Sequence, residues 1–281
     1  NEAALQAART DKNKIEMIDF EKAKDKILMG SERKSMIVSE EDRKITAYHE
    51  AGHTIVGRLL PGMDPIHKVS IIPRGMAMGV TQTLPLEDVM SLTKSKAQNM
   101  IAFLFGGRAA EEIIFKNVTT GAGNDIERAT ALARSMVCEW GMSEKLGPIA
   151  LEKREGPVYL GMSMSSHREY SEAKAEEIDS EIKKIVFEGH QKALDILNSK
   201  MDVLHNMAQA LLEHETIDTV EVEMIINGQP LIEIEKLRTE NNSKLLEEQK
   251  RAAKADEDEK KKTAKGSGSR DPMGNPGPIT A

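Results

Sequence analysis

The sequence of 281 residues contains 46 acidic and 39 basic side chains, for a formal net charge of −7. With no basic surplus and only 3% aromatic residues, it lacks the charge and the stacking side chains of a nucleic-acid-binding protein. A single cysteine, Cys138, cannot form an internal disulfide, which fits a reducing compartment. No apolar run reaches about 18 residues and no signal pattern opens the sequence, so we expect the chain by itself to be soluble. The aliphatic, Ala- and Met-rich composition favours a mainly α fold.

The first part of the chain, residues 1–30, predicts two short helices at 2–9 and 18–29 with a polar turn between them. Asp19 is the expected N-cap of the second helix, and Gly30 its end. Such a pair is too small to hold a core of its own. We therefore expect it to pack and to carry no chemistry.

The motif His-Glu-Ala-Gly-His occupies residues 49–53, in a segment with the periodicity of an amphipathic helix. Residues four apart lie on the same face of a helix, so His49 and His53 can direct imidazole nitrogens at one Zn²⁺ ion. Glu50 then lies beside the ion, where a carboxylate can take a proton from water held by the metal. The motif predicts a zinc hydrolase. The alternative is an amphipathic helix whose two histidines share a face by chance.

The flanks of the motif support a helix over residues 40–60. Ser39 is the expected N-cap, and Pro61 with Gly62 ends the helix. Gly52 lies inside it, where glycine costs about 1 kcal/mol relative to alanine. We therefore expect another part of the backbone to approach Gly52 closely, near the metal.

Two β-prone runs follow at 69–73 and 78–85, bounded by glycine and proline, and predict a small β-sheet beside the helix. Residues 79–84 are a candidate for an edge strand on which an extended peptide substrate pairs. The alternative is a hairpin that only covers one side of the helical core. The sequence leaves both interpretations open.

A third protein ligand is needed, because a catalytic zinc normally has three protein ligands and one position open for water. The next helical segment, at 93–115, is interrupted by the glycine pair at 106–107, which allows either close helix packing or a break. Glu111 and Glu112 lie near the end of this segment. They are the first candidates for the third ligand.

The second candidate is Asp125, in the first turn of a helix that follows the small-residue turn 119–124 and continues to Trp140. A carboxylate in a first turn is often only a cap or a partner of the helix dipole. Here the glycines in the turn allow a close approach to a metal, which gives Asp125 a reason to be a ligand. Spacing alone leaves Asp125 and Glu111 nearly even.

The remaining chain predicts three more helices and two irregular segments. The helices are expected at 171–200, 201–214 and 219–226, the last with a cap from 216–218, and the irregular segments at 142–168 and 229–281. The final segment is charged and has few apolar residues, so we expect a transient charged helix and an otherwise largely disordered tail. His190, His205 and His214 form no ligand pattern and are expected to be surface or packing residues.

Six separated stretches of the chain combine residues in a highly specific way. They are Asn1-Glu2-Ala3-Ala4-Leu5, Phe20-Glu21-Lys22-Ala23, His49-Glu50-Ala51-Gly52-His53, Gly106-Gly107-Arg108-Ala109-Ala110-Glu111-Glu112, Thr120-Gly121-Ala122 with Asn124-Asp125, and Trp140-Gly141-Met142-Ser143. Together they resemble the carboxyl half of the FtsH family, the ATP-dependent, membrane-anchored zinc proteases. The resemblance covers about residues 1–228.

This resemblance implies a mainly α fold, in which a helical zinc metallopeptidase domain has a small β-sheet beside the metal-binding helix. It assigns residues 1–30 to the end of the AAA+ lid and residues 31–228 to the metallopeptidase domain. Residues 229–281 remain as a charged, largely disordered tail.

The resemblance also assigns the site. It implies that the zinc ligands are His49, His53 and Asp125 and that Glu50 is the general base. Glu111 then becomes a structural residue or one that supports a ligand, although its place near the site keeps it as the rival for the third position.

The sequence departs from the family in one large respect. It contains no G-x-x-x-x-G-K-[ST] phosphate loop, and no apolar span precedes the peptidase part. We therefore expect ATP to act only through an ATPase domain outside this chain, which is either a fragment of a complete membrane protease, the interpretation we favour, or a relative without its motor. The resemblance further implies a homohexamer that degrades unfolded or membrane-extracted polypeptides at the cytoplasmic face of the bacterial inner membrane.

The predicted function is that of a zinc-dependent endopeptidase. The alternative is a non-catalytic oligomerisation module with a structural zinc. A structural site normally has four protein ligands and no use for a carboxylate such as Glu50 beside the metal. The sequence therefore favours catalysis.

Overall fold

The computed structural model describes residues 1–33, 36, 38–75, 77–85, 90–151, 171–240 and 243. This part of the chain is mainly α, as the sequence predicted. Its named helices are α1 Glu2–Arg9, α2 Met17–Met29, α3 Glu40–Leu59, α4 Lys94–Leu104, α5 Gly106–Phe115, α6 Gly123–Cys138, α7 Glu172–Ser199, α8 Met201–His214 and α9 Thr219–Ile226. Its strands are β1 Ile66–Ser70, β2 Val80–Thr83 and β3 Thr216–Asp218. None of the helices in these ranges combines the length and the apolar character of a membrane span.

The chain divides into two compact units, Asn1–Gln229 and Pro230–Ala281. All the named helices and strands belong to the first unit. In the second unit, residues 231–240 are helical. The predicted irregular segment at 142–168 and the predicted tail lie largely outside the described residues, and the predicted domain boundaries stay predictions.

Local capping sets the start of α3 as predicted and the start of α2 differently. The Ser39 hydroxyl accepts a hydrogen bond from the backbone N–H of Asp42 at 3.0 Å, which begins α3. The prediction of Asp19 as the N-cap of α2 is wrong, because the helix begins at Met17 and Glu16 is its N-cap. The Asp19 carboxylate instead accepts from the Glu16 N–H at 3.0 Å, so these two residues cap the helix reciprocally.

The strands form an antiparallel sheet in the order β2-β1-β3. Val69 on β1 lies opposite Thr81 on β2 and opposite Ile217 on β3. The first strand begins at Ile66, earlier than predicted, because pairing with the two neighbours rather than β-propensity sets its limits. β3 was not predicted as a strand. Only a cap was expected there, and Asp218 does cap α9.

Helix α3 lies at the centre of the core. Its fully buried apolar residues are Ala47, Ala51, Ile55 and Val56. The close backbone approach predicted at Gly52 exists, and its partner is Gly106 at the start of α5. A Cβ atom on Gly52 would lie 2.3 Å from the Gly106 carbonyl oxygen, so only glycine fits there. The glycine pair at 106–107 thus marks the break between α4 and α5 and also allows close packing.

Candidate metal centre

Three side chains from two helices converge at one point. His49 and His53 are one turn apart on α3, and their Nε2 atoms lie 3.1 Å apart. Asp125 comes from the first turn of α6, and its Oδ2 lies 3.5 Å from His49 Nε2 and 3.3 Å from His53 Nε2. Among the described residues, this is the only cluster of three or more His, Cys, Asp or Glu side chains that could share a metal ion.

The spacing of the three donor atoms fits zinc. A tetrahedral Zn²⁺ ion with bonds of about 2.0–2.1 Å separates its ligand atoms by about 3.3 Å. The observed separations of 3.1, 3.3 and 3.5 Å lie around this value. Among the described residues three donors converge, which matches the three protein ligands of a catalytic zinc site.

The hydrogen bonds on the far side of each imidazole fix the position of its proton. Nδ1 of His53 lies 2.8 Å from the carbonyl oxygen of Phe103, which can only accept, so this nitrogen carries the hydrogen. Nδ1 of His49 lies 2.7 Å from Oε1 of Glu111, a carboxylate oxygen that also accepts. In the neutral rings, both Nε2 atoms therefore present lone pairs to the same space as the Asp125 oxygen. Three acceptors that face one another in this way require a cation between them.

The charges around His49 also favour a cation between the three side chains. Burial disfavours the charged form of this ring, but hydrogen bonds to Asp125 and Glu111 outweigh burial and raise the pKa of His49 to about 10. Burial likewise opposes ionisation of Asp125, but the two histidines hold the pKa of its carboxyl well below the ordinary range. Without a metal, the positive charge at this site is the added proton of His49.

Glu111, the rival for the third ligand position, lies outside the group of converging donors. Its Oε1 accepts from His49 Nδ1, and its Oε2 accepts from the backbone N–H of Thr119 at 2.8 Å. Both oxygens are thus engaged away from the Nε2 atoms. Thr119 belongs to the turn that leads into α6, so Glu111 connects the helix of His49 to the turn before Asp125. The structure brings together His49, His53 and Asp125. Glu111 lies on the far side of the His49 imidazole from this cluster.

Glu50 is buried on α3, with 6% of its surface exposed. Its Oε2 accepts a hydrogen bond of 2.6 Å from the hydroxyl of Thr81 on β2. Burial raises the pKa of Glu50, and the attraction of His53 and His49 only partly offsets this. A carboxylate of raised pKa beside a cation site is suited to accept and return a proton.

Two glycines leave room for the functional side chains. A Cβ atom on Gly107 would lie 2.4 Å from Nε2 of His49, so the imidazole rests directly on the backbone of α5. A Cβ atom on Gly79 would lie 2.6 Å from Oε1 of Glu50, so the carboxylate rests on the backbone just before β2. Substitution at either position would displace a side chain of the site.

Several of these contributors were not predicted as part of the site, among them Thr81, the Phe103 carbonyl and Gly107. Thr81 lies in the run proposed as a peptide edge, but no local pattern indicates its contact with Glu50. The carbonyl of Phe103 belongs to the last turn of α4, where carbonyls lack helical partners, and this signal is too general to identify it. Gly107 was noted for helix packing, and its contact with His49 depends on the tertiary fold.

β2 lies at the edge of the sheet, within the run 79–84 that was proposed to bind an extended peptide. β1 pairs with one side of β2. On its other side, no strand pairs with it among the residues that the structure describes. Since Thr81 contacts Glu50, this edge passes beside the predicted base.

Comparisons with known proteins agree with this chemistry. Residues 36–225 match the family described as Peptidase family M41. Over 281 residues, the whole chain is 61% identical to the "ATP-dependent zinc metalloprotease FtsH 1" of Bdellovibrio bacteriovorus and covers 42% of that protein. Proteins named "ATP-dependent zinc metalloprotease FtsH" are 52% identical over 231 residues in Acidobacterium capsulatum and 53% identical over 230 residues in Magnetococcus marinus.

The last two alignments cover 82% of this chain but only 36% and 34% of the two relatives. The chain therefore spans about two fifths or less of the length of these three proteins.

Proposed function

The chain belongs to peptidase family M41, and on this basis we propose that it is a zinc-dependent endopeptidase, the proteolytic part of a longer ATP-dependent protease. One observation carries the proposal. Two histidine Nε2 atoms and one carboxylate oxygen converge at tetrahedral spacing beside a buried glutamate. The name of the similar proteins, ATP-dependent zinc metalloprotease, supports it.

In this proposal, His49, His53 and Asp125 hold the ion. When bound there, zinc would act as a Lewis acid that activates water and polarises the scissile carbonyl. Glu50 accepts one proton of the water as the water oxygen bonds to the carbonyl carbon. Glu50 then gives this proton to the amine nitrogen as the peptide C–N bond breaks, so the carboxylate is regenerated.

We propose that the substrate is an unfolded or membrane-extracted polypeptide. An extended backbone can donate to and accept from the side of β2 that no described strand occupies, adding a strand to the sheet. Such binding depends on hydrogen bonds to the substrate backbone rather than on its side chains, which suits an enzyme that cleaves many sequences. It also requires an unfolded substrate, because a folded protein offers few free extended segments.

The assembly and the location are proposals that rest on the resemblance to the FtsH family. We propose that the longer protein is a homohexamer, anchored in the bacterial inner membrane with this chain on the cytoplasmic face. ATP acts through a domain outside the chain and drives substrate toward the zinc site. This chain covers 42% or less of the length of the similar proteins, which leaves room for such domains in a longer protein.

The alternative, an oligomerisation module with a structural zinc, is disfavoured by two features. Among the described residues, three protein donors surround the centre rather than the four of a closed structural site. A purely structural ion also gives no reason for a buried carboxylate beside it, as at Glu50.

The proposal is tested by metal content and cleavage in the protein at its full natural length. We expect about one zinc per chain by mass spectrometry and ATP-dependent degradation of casein, with both lost on chelation and both restored by zinc. A fully zinc-loaded protein that never cleaves casein, even with ATP, would support the structural role instead.

A further inference from the structure

The hydroxyl of Thr81 contacts Glu50 at two atoms. Thr81 Oγ1 lies 2.6 Å from Oε2 of the Glu50 carboxylate and 3.2 Å from the Glu50 backbone carbonyl oxygen. A threonine hydroxyl has only one hydrogen to donate. The two contacts therefore cannot both be full hydrogen bonds.

The shorter distance and the negative charge of the acceptor assign this hydrogen to the carboxylate. The hydroxyl of Thr54 already donates to the Glu50 carbonyl oxygen at 2.7 Å. The 2.6 Å contact of Thr81 has the length of a charge-assisted O–H···O⁻ bond, about 2.5–2.7 Å. In the part of the chain that the structure describes, it is the only hydrogen bond to the Glu50 carboxylate.

The other oxygen of Glu50 is confined by backbone. A Cβ atom on Gly79 would lie 2.6 Å from Oε1 and 2.8 Å from Cγ of Glu50. The carboxylate is therefore held between α3 and the strand segment that contains Gly79 and Thr81. With one oxygen bonded and the other confined, the group has one orientation.

We propose that Thr81 is a positioning residue for the general base. Its hydroxyl binds Oε2 of Glu50 and so holds the carboxylate in one orientation for proton transfer, which requires an acceptor at a fixed distance and angle from the reacting water. This inference rests on the proposed function. Because Thr81 belongs to β2, the strand proposed to pair with the substrate also holds the base, which fixes the base and the scissile bond relative to each other.

Three variants of the zinc-loaded protein at its full natural length test this role. Thr81→Val keeps the shape of the side chain and removes the donor, whereas Thr81→Ser keeps the donor. Thr130→Val is the matched control, because Thr130 is exposed on α6 and its hydroxyl donates at 2.8 Å to the Ile126 carbonyl, away from the site.

With a short fluorogenic peptide, we expect Thr81→Val to lower kcat roughly tenfold to hundredfold and to leave KM nearly unchanged. Thr81→Ser should restore kcat to within about threefold, and Thr130→Val should match the unchanged protein. Zinc per chain should be equal in all of them. A peptide hydroxamate binds the metal and donates its hydroxyl to the base, so calorimetry should show its affinity reduced in Thr81→Val and retained in Thr81→Ser.

Two results would overturn the inference. Full kcat and full hydroxamate affinity in Thr81→Val would show that Glu50 is oriented without Thr81. A loss in Thr81→Val that Thr81→Ser does not restore, or that accompanies zinc loss, would show a packing role. Failure of the proposed function would give a different result from failure of the positioning role alone. If Glu50 is not the base, Glu50→Gln retains turnover, and the positioning role of Thr81 then fails as well.

Discussion

Oε1 of Glu111 lies 2.7 Å from Nδ1 of His49, on the opposite edge of the imidazole ring from the nitrogen that faces Asp125. A carboxylate in this position fixes the tautomer of the ring and makes the remaining nitrogen a better ligand. Glu111 and Asp125 therefore act on the same histidine in different ways, although spacing in the sequence could not separate them.

The first prediction separates these two carboxylates by zinc affinity. Asp125→Ala removes a donor atom and should abolish stoichiometric zinc binding. Glu111→Ala should keep most of the zinc and weaken the affinity by about tenfold to a hundredfold, as loss of a supporting hydrogen bond does. Glu111→Gln should have a zinc affinity between those of the unchanged protein and Glu111→Ala. The single amide oxygen can accept from either His49 or Thr119, but the amide NH₂ group repels the other donor. Competition with a chelator measures each affinity, and the reverse order would exchange the two roles.

The second prediction concerns the base. Glu50→Gln should retain zinc and fold but lose roughly 10²- to 10⁴-fold in kcat for an unfolded model protein, because the amide cannot accept the proton. Glu112→Gln is the matched control, since Glu112 pairs with Arg108 at 2.6 Å and lies outside the metal cluster. Retained turnover in Glu50→Gln would exclude this residue as the base.

The third prediction uses the contact between Gly107 and His49. Gly107→Ala should displace the imidazole and reduce zinc content, because the new methyl group would overlap Nε2. Gly123→Ala is the control, as a Cβ atom there meets nothing within 4 Å. Alanine is about 1 kcal/mol better than glycine within a helix, so helix propensity cannot explain a loss in Gly107→Ala. Equal zinc content in the two variants, measured by mass spectrometry, would contradict the contact.

The fourth prediction concerns Gly52. Gly52→Ala should destabilise the fold by about 1–3 kcal/mol or more, because its methyl group would overlap the Gly106 carbonyl and force α3 and α5 apart. Urea unfolding followed by circular dichroism measures the change. Gly123→Ala again serves as the control and should be neutral or stabilising. A Gly52→Ala protein of unchanged stability would mean that the two helices can separate at little cost.

The fifth prediction concerns protons. In the metal-free protein, the pKa of His49 is raised to about 10, so this ring is charged at pH 7. Zinc binds only the neutral ring, so binding at pH 7 should release about one proton, and affinity should rise as pH increases toward the pKa of His49. Calorimetry in two buffers of different ionisation enthalpy counts the protons. Binding heats that do not depend on the buffer would show that His49 is neutral before zinc arrives.

The helix of the motif could be predicted because its signals are local. The cap at Ser39, the proline at 61 and the spacing of His49 and His53 all lie within a short stretch of sequence. The candidate third ligand was harder to choose, because Asp125 and Glu111 have equally suitable local settings. What distinguishes them is tertiary: both Glu111 oxygens are occupied, by His49 and Thr119.

The sheet shows the limit of local reasoning. β1 pairs with β3 through residues as distant in sequence as Lys68 and Asp218, and a three-residue strand has too little periodicity to be recognised. The contact of Thr81 with Glu50 depends on the same long-range arrangement. The assignment of residues 1–30 to an AAA+ lid has no counterpart in local chemistry and stays a prediction.

The direct contact between Gly52 and Gly106 also bears on how this protein tolerates change. Where two helices meet through side chains, a substitution alters their separation by the size of the new group. At these two glycines the helices already touch through backbone atoms, so smaller side chains elsewhere in the core cannot bring them closer. Exchanges of core residues around α3 for smaller ones should therefore leave the histidine helix and the helix of Glu111 nearly the same distance apart. The backbone contact thus protects the spacing of His49 and Glu111 against loss of volume in the interior.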